Sequence, residues 1–236
     1  MLRVERRRYS EHSTLNSQLW KTTLKDRFTS ILTTLSGAVI LLALFRFGRS
    51  EAYGDRFLVV SAIGLLWTPL LMIFLVFRSD PDTFGMSLGD SGRVARFSTI
   101  LYVLLLLLLI PASQMKGFRA HYQLNQAATA SAAAFLYYAA TFGLYVFCVE
   151  FFYRGFLLFG LRGSLGWAAV WLQAAAFGLM HYGRSGPELA ASFVSGLVLG
   201  WIATRARSIV PGFLLHWSVA LTFQAMVIGS AHFIRR

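Results

Sequence analysis

Ser131-Ala-Ala-Ala-Phe135-Leu-Tyr-Tyr-Ala-Ala140-Thr-Phe-Gly-Leu-Tyr145-Val-Phe-Cys-Val-Glu150-Phe-Phe-Tyr-Arg154-Gly-Phe-Leu-Leu-Phe159-Gly-Leu161 is an apolar run broken by one acid and one base. About 20 residues suffice to cross the hydrocarbon core of a bilayer, so a helix over this run tilts or projects beyond the membrane. Glu150 and Arg154 stand at i and i+4, a spacing that brings both onto one helix face, where they can pair. An ionisable side chain at membrane depth costs about 3 kcal/mol even on the mildest insertion scales, which makes it a functional candidate by default. The competing reading is a Glu-Arg pair that pins two helices together.

The rest of the chain repeats the pattern. Of 236 residues, 56% are hydrophobic, 15% aromatic and only 14% charged, and the charges fall between apolar runs. A soluble domain carries about 25% charged residues spread throughout, so this is an integral membrane protein. Further runs cover Ile31 to Phe45, Phe57 to Phe77, Phe97 to Pro111, Trp167 to Met180, Leu189 to Thr204 and Ile209 to Gly229. With no sheet signal, they predict an all-α polytopic transmembrane bundle of about seven spans, within a range of six to eight. Residues 1–28 read as a basic cytoplasmic tail and 29–236 as one transmembrane domain. The N-terminal stretch is too long and polar for a cleavable signal.

A net charge of +12 and a pI near 10.6 would suggest nucleic acid in a soluble protein. Here the basic residues flank spans, and the positive-inside rule accounts for them without a nucleic-acid partner. Arg3, Arg6, Arg7, Arg8, Lys21, Lys25 and Arg27 precede the first span, against Glu5, Glu11 and Asp26. A cytoplasmic N-terminus is expected, and with seven spans an external C-terminus. Arg78, Arg93, Arg96, Arg162, Arg205 and Arg207 would then lie inside, and Arg46, Arg49, Arg56, Lys116, Arg119 and Arg184 outside.

The lone cysteine, Cys148, excludes an internal disulfide and thiolate zinc clusters. It lies about 200° around a helix from Glu150 and reads as a small buried hydrophobe. His181 closes Phe177-Gly-Leu-Met-His181, and His216 lies within the last run in Pro211-Gly-Phe-Leu-Leu-His216. Glu150 is the only acid inside a long apolar stretch beyond Glu51, so two histidines and one carboxylate on three helices predict a shared polar centre. His12, His121 and His232 fall in tails or loops and receive no role. Pro211-Gly212, and Gly183 with Gly186 and Pro187, are helix breakers beside the two histidines. Ser192, Gly196 and Gly200 form a small-residue strip suited to close helix packing.

Glu150-Phe-Phe-Tyr-Arg154-Gly, Phe177-Gly-Leu-Met-His181 and the late His216 resemble, in order and spacing, the three motifs of the CAAX protease and bacteriocin-processing family of glutamic-type intramembrane endopeptidases. The resemblance covers about 149–220, and the first motif is also similar to the myxosortase-like branch, which is thought to process C-terminal sorting tails in bacteria. It implies that Glu150 and His181 activate a water, that His216 stabilises the oxyanion and that Arg154 orients the glutamate. It also implies a membrane-anchored protein or lipidated tail as substrate, no cofactor or metal, and a bacterial cytoplasmic membrane. Two positions depart from the family. Val149 stands where the motif usually opens with a first glutamate, and Ala220 stands where an asparagine often follows the last histidine. Ser218, Gln224 or Gln173 could replace that donor, and Phe177 is a further candidate for support at the site.

The chemistry is coherent on its own terms: peptide hydrolysis needs a base for water, a donor for the oxyanion and a proton for the leaving amine. The chain has no Gly-x-Ser-x-Gly elbow and no His-Glu-x-x-His motif. Three other readings use the same residues. Glu150, His181 and His216 have atom types that suit zinc, which Arg154 would oppose. They could form the relay of a proton-coupled transporter, or they could persist in a non-catalytic membrane partner or immunity protein of the same fold.

Overall fold

The computed structural model describes residues 2–47, 55–115, 131–183 and 186–234, all of them in helices and short connections. Arg49, Lys116, Arg119, His121 and Arg184 lie outside the described residues, as do the side chains of residues 2–22, Arg46, Arg93 and His232. The helices are α1 (Leu2–Phe47), α2 (Asp55–Ala62), π1 (Ile63–Trp67), α3 (Thr68–Leu71), π2 (Met72–Val76), α4 (Ser91–Gln114), α5 (Ala132–Glu150), π3 (Phe151–Leu157), α6 (Leu158–Leu165), α7 (Ala168–Met180), α8 (Gly186–Ala206) and α9 (Val210–Ile234). Six stretches are long and apolar enough to cross a membrane: Thr23–Phe45, Arg56–Val76, Val94–Gln114, Ala132–Leu165, Gly186–Ala206 and Val210–Val227. The expected bundle is therefore present. The run from Trp167 contributes only the 13 residues of α7, about 20 Å of helix against a core of about 30 Å, so it does not span alone. The backbone of α1 continues through residue 28 without a break.

Each outer helix buries one seam. On α1 the buried positions are Ser30, Thr33, Gly37 and Ile40, a helical stripe laid against α6. Ser30 Oγ donates to the Gly160 carbonyl at 3.1 Å. The second span buries Ser61, Leu65, Pro69, Ile73 and Phe77, an unbroken four-residue repeat. A regular α-helix would drift off that line by about 40° per step, and the two π-helical stretches correct the drift with wider turns. Pro69 contributes to this: it has no N–H for the α-helical bond to the Leu65 carbonyl, and just before it the Ile63 carbonyl accepts from the Thr68 N–H and from Thr68 Oγ1 at 2.8 Å.

At the end of this span the chain turns through a 3₁₀ segment, Pro81–Phe84, whose Asp80 carboxylate accepts from the Asp82 N–H at 2.9 Å. Gly85, at φ +80°, closes it, and its carbonyl accepts from the Ile209 N–H at 2.9 Å. This turn thereby holds the α8–α9 connection. Phe77, Phe84 and Phe156 stack beneath it with ring centroids 6.0 to 6.4 Å apart.

The central element is the 34-residue helix formed by α5, π3 and α6, about 51 Å long and thus longer than the membrane is thick. Its last turns lie against α1 near Asp26 and Ser30, and α7 folds back along it. Fifteen positions separate Glu150 from Leu165, and fifteen separate Gly166 from His181. The two arms of this hairpin therefore carry Glu150 and His181 to one level, about 22 Å from the turn. The small-residue strip on α8 seats α7: a Cβ on Gly196 would lie 2.9 Å from the Ala174 Cα. Ordinary close packing accounts for that strip.

Candidate active site

Glu150 is the last residue of α5, and the π-helix begins at the next residue. Single π-turns inside α-helices recur at functional positions because the widened turn re-aims side chains. Every residue from Cys148 to Leu158 is buried, including Phe151, Phe152, Tyr153 and Phe156 at zero exposure. A helix that is apolar on all sides belongs at the centre of a bundle, and the two charged side chains are carried there with it. Glu150 and Arg154 are both 0% exposed.

The charges do not stand alone. Arg154 Nη1 lies 3.0 Å from Glu150 Oε1, and His216 Nδ1, on α9, lies 2.6 Å from the same oxygen. A carboxylate accepts, so Nδ1 is the donor, and the Nε2 of His216 is left for another partner. The guanidinium meets Oε1 as an ion pair out of hydrogen-bond alignment, and Arg154 Nε, Nη1 and Nη2 have no hydrogen-bond partner among the described residues. The face of Phe177 supports it instead, with Cζ 4.2 Å from the ring centroid. The same ring meets His181 at 5.0 Å and His216 at 5.8 Å, both edge to face. His181 Nδ1 lies 3.1 Å from the Phe177 carbonyl, which can only accept, so Nδ1 is the donor in that contact. His216 keeps 24% of its side chain exposed, so the centre opens on that side.

The structure thus brings Glu150, Arg154 and His216 into direct contact and joins His181 to them through Phe177. It departs from the expected pairing, because the histidine bonded to Glu150 is His216. Gln173 is directed elsewhere: its Nε2 donates to the carbonyls of Val170 at 3.0 Å and Gly196 at 2.7 Å, tying α7 to α8. Gln224 lies two turns beyond His216 and accepts from the Tyr138 hydroxyl. Ser218, two positions after His216, is half-buried on another face of α9. Val149 is buried in the core and Ala220 half-buried, so neither supplies a polar group. Cys148 is free and buried.

Glu188 corrects one expectation. It is a second buried carboxylate, in the first turn of α8, where the helix dipole favours an acid. What distinguishes Glu150 is its contact with Arg154 and His216. The π-helix is the feature the sequence does not announce, since its residues carry no local signal; Phe177, a candidate for support at the site, contributes its ring to Arg154 and both histidines. No group of three His, Cys, Asp or Glu side chains among the described residues is arranged to hold a metal.

Residues 130–222 match the family model of Rce1-like type II CAAX prenyl endopeptidases. The matched segment contains all three motifs and bears out the family resemblance drawn from them. It supports a membrane-embedded protease. No curated protein and no solved structure matches the chain.

Proposed function

We propose that this protein is a glutamic-type intramembrane endopeptidase that cleaves a membrane-associated substrate with a water activated at Glu150. The observation that carries the proposal is a fully buried carboxylate with one oxygen held by a histidine and an arginine and the other without a partner. The water oxygen bonds to the scissile carbonyl carbon while one of its protons passes to Glu150. The Nε2 of a histidine donates to the resulting oxyanion. As the carbon–nitrogen bond breaks, the proton on Glu150 passes to the leaving nitrogen, which yields an acid and an amine and restores the carboxylate. His216, whose Nδ1–H is given to Glu150, donates from Nε2 when both ring nitrogens carry a proton. His181 flanks the attack across Phe177, and Arg154 pairs with Glu150 Oε1 and so fixes its orientation.

The substrate class follows from the family: a protein with a lipidated C-terminus, as the name prenyl endopeptidase says of the matched family, or a C-terminal sorting tail, as the myxosortase-like first motif suggests. Among the described side chains, Lys25, Arg27, Arg78, Arg162, Arg205 and Arg207 lie at the end of the bundle that holds the α6–α7 and α8–α9 turns, the end from which the basic N-terminal tail leads into the first span. The excess of Lys and Arg over acids in that tail supports a cytoplasmic N-terminus in a bacterial cytoplasmic membrane.

The test is processing by the purified protein of two probes, a farnesylated CAAX peptide and a fusion ending in a transmembrane sorting tail. Glu150→Gln, His181→Ala and His216→Ala are each expected to abolish cleavage at wild-type protein levels, because Gln keeps the shape of Glu but cannot take the proton. Cleavage is expected to survive exhaustive chelation. Full activity of Glu150→Gln sinks the glutamic mechanism, and loss on chelation restored by zinc alone converts the same residues into a metal site.

A further inference from the structure

The two oxygens of Glu150 have different surroundings. Oε1 faces both His216 and Arg154, whereas Oε2 is buried with no donor among the described residues. In the same ion pair, all three guanidinium nitrogens are buried without a hydrogen bond. An unfilled acceptor beside unfilled donors is the arrangement that ordered water satisfies inside proteins.

The backbone opposite Oε2 belongs to Gly212, in the first turn of α9 behind the buried Pro211. A Cβ built there would lie 3.6 Å from Oε2, with Leu199 Cδ2 at 3.7 Å and Ile202 Cγ2 at 3.9 Å. These are ordinary van der Waals separations, so a methyl group fits beside Oε2 without displacing protein atoms. A water bound to Oε2 at about 2.8 Å would have to share that volume. The bare Cα of Gly212 is therefore what leaves room for both.

We propose that Gly212 is a positioning residue that keeps open the seat of the water activated by Glu150, with Oε2 as the oxygen that takes its proton and Oε1 as the anchored one. This rests on the reading of Glu150 as the base. Any side chain at position 212 displaces the water while leaving Glu150, Arg154 and His216 in contact.

The experiment compares Gly212→Ala with wild type, Glu150→Gln and the lipid-facing control Leu214→Ala, all purified in detergent. Gly212→Ala is expected to keep the wild-type melting temperature or exceed it, since alanine favours helix. Its kcat for whichever of the two probes the wild type cleaves should fall about a hundredfold or more, with KM within about twofold. The second readout needs no substrate: pH-induced infrared difference spectra should show an internal-water O–H band that shifts in heavy-oxygen water, present in wild type and Leu214→Ala and absent from Gly212→Ala. Wild-type kcat in Gly212→Ala with the band intact, while Glu150→Gln is inactive, overturns the role of Gly212 alone. An active Glu150→Gln overturns the base itself. If Gly212→Ala does not accumulate, absence of the band from wild type is the overturning result.

Discussion

At the scale of single residues, Phe177 joins the most groups of the site. Its face lies against Arg154 and its edges against both histidines, so one ring sets the position of three polar groups. Phe177→Leu keeps an apolar side chain but removes the ring face, a loss of about 1 to 2 kcal/mol, or roughly five- to thirtyfold in kcat/KM. Phe177→Tyr should retain most activity. Arg154→Lys should lose at least about tenfold, because an ammonium cannot lie flat on the ring. In the double variant the two losses should fall well short of additive, and a strictly additive cycle measured on cleavage rates would separate the ring from the guanidinium. The identities of Glu150, Arg154, His181 and His216 were legible because ionisable groups are rare in apolar runs. Which histidine bonds Glu150 was not legible, because that depends on the rotation and axial offset of α9 against α5, which no local pattern records.

At the scale of elements, the hairpin of α6 and α7 is a register device. Its equal arms bring His181 to the level of Glu150 although α7 is too short to span, because the 34-residue central helix is longer than the bilayer is thick. The run from Trp167 was legible as short, but its partner's overhang was not, since hydropathy marks where apolar residues occur and not how far a helix continues past the bilayer. One alanine inserted between Ala175 and Ala176 moves Phe177 and His181 by about 1.5 Å and 100° relative to the first part of α7. Cleavage should fall by about a hundredfold or more. The same insertion between Leu165 and Gly166 falls in the turn and should be absorbed with little loss. Equal activity of the two insertions in a membrane-based cleavage assay would show that the register is not used.

At the scale of the whole molecule, six of the seven apolar runs were legible as spans because the bilayer demands them, the first starting eight residues earlier at Thr23, while the π-turns were visible only in the assembled bundle. The four-residue seam of the second span shows why: its buried face is regular only in the widened helix. The distribution of basic residues yields a test of orientation. In a Cys148→Ser background, Leu165→Cys exposes a single thiol at the α6–α7 turn. It should react with an impermeant maleimide in inverted membrane vesicles and stay unlabelled in intact spheroplasts. Labelling in spheroplasts alone would reverse the topology.

The spacing of the polar centre along the chain also matters during synthesis. Arg154 follows Glu150 by one helical turn, so the pair can enter the bilayer already neutralised, whereas His216 emerges from the ribosome 66 residues after Glu150. At about 5 to 20 residues per second, that interval is roughly 3 to 13 s. Throughout it the nascent helix carries its acid with the arginine as sole counter-ion. Arg154→Ala leaves that acid unpaired at a cost of about 3 to 5 kcal/mol, and it should be degraded within minutes in a pulse-chase experiment. His216→Ala, equally dead as a protease, should be inserted and persist. Equal lifetimes for the two proteins would mean that the arginine is needed only after the bundle has closed.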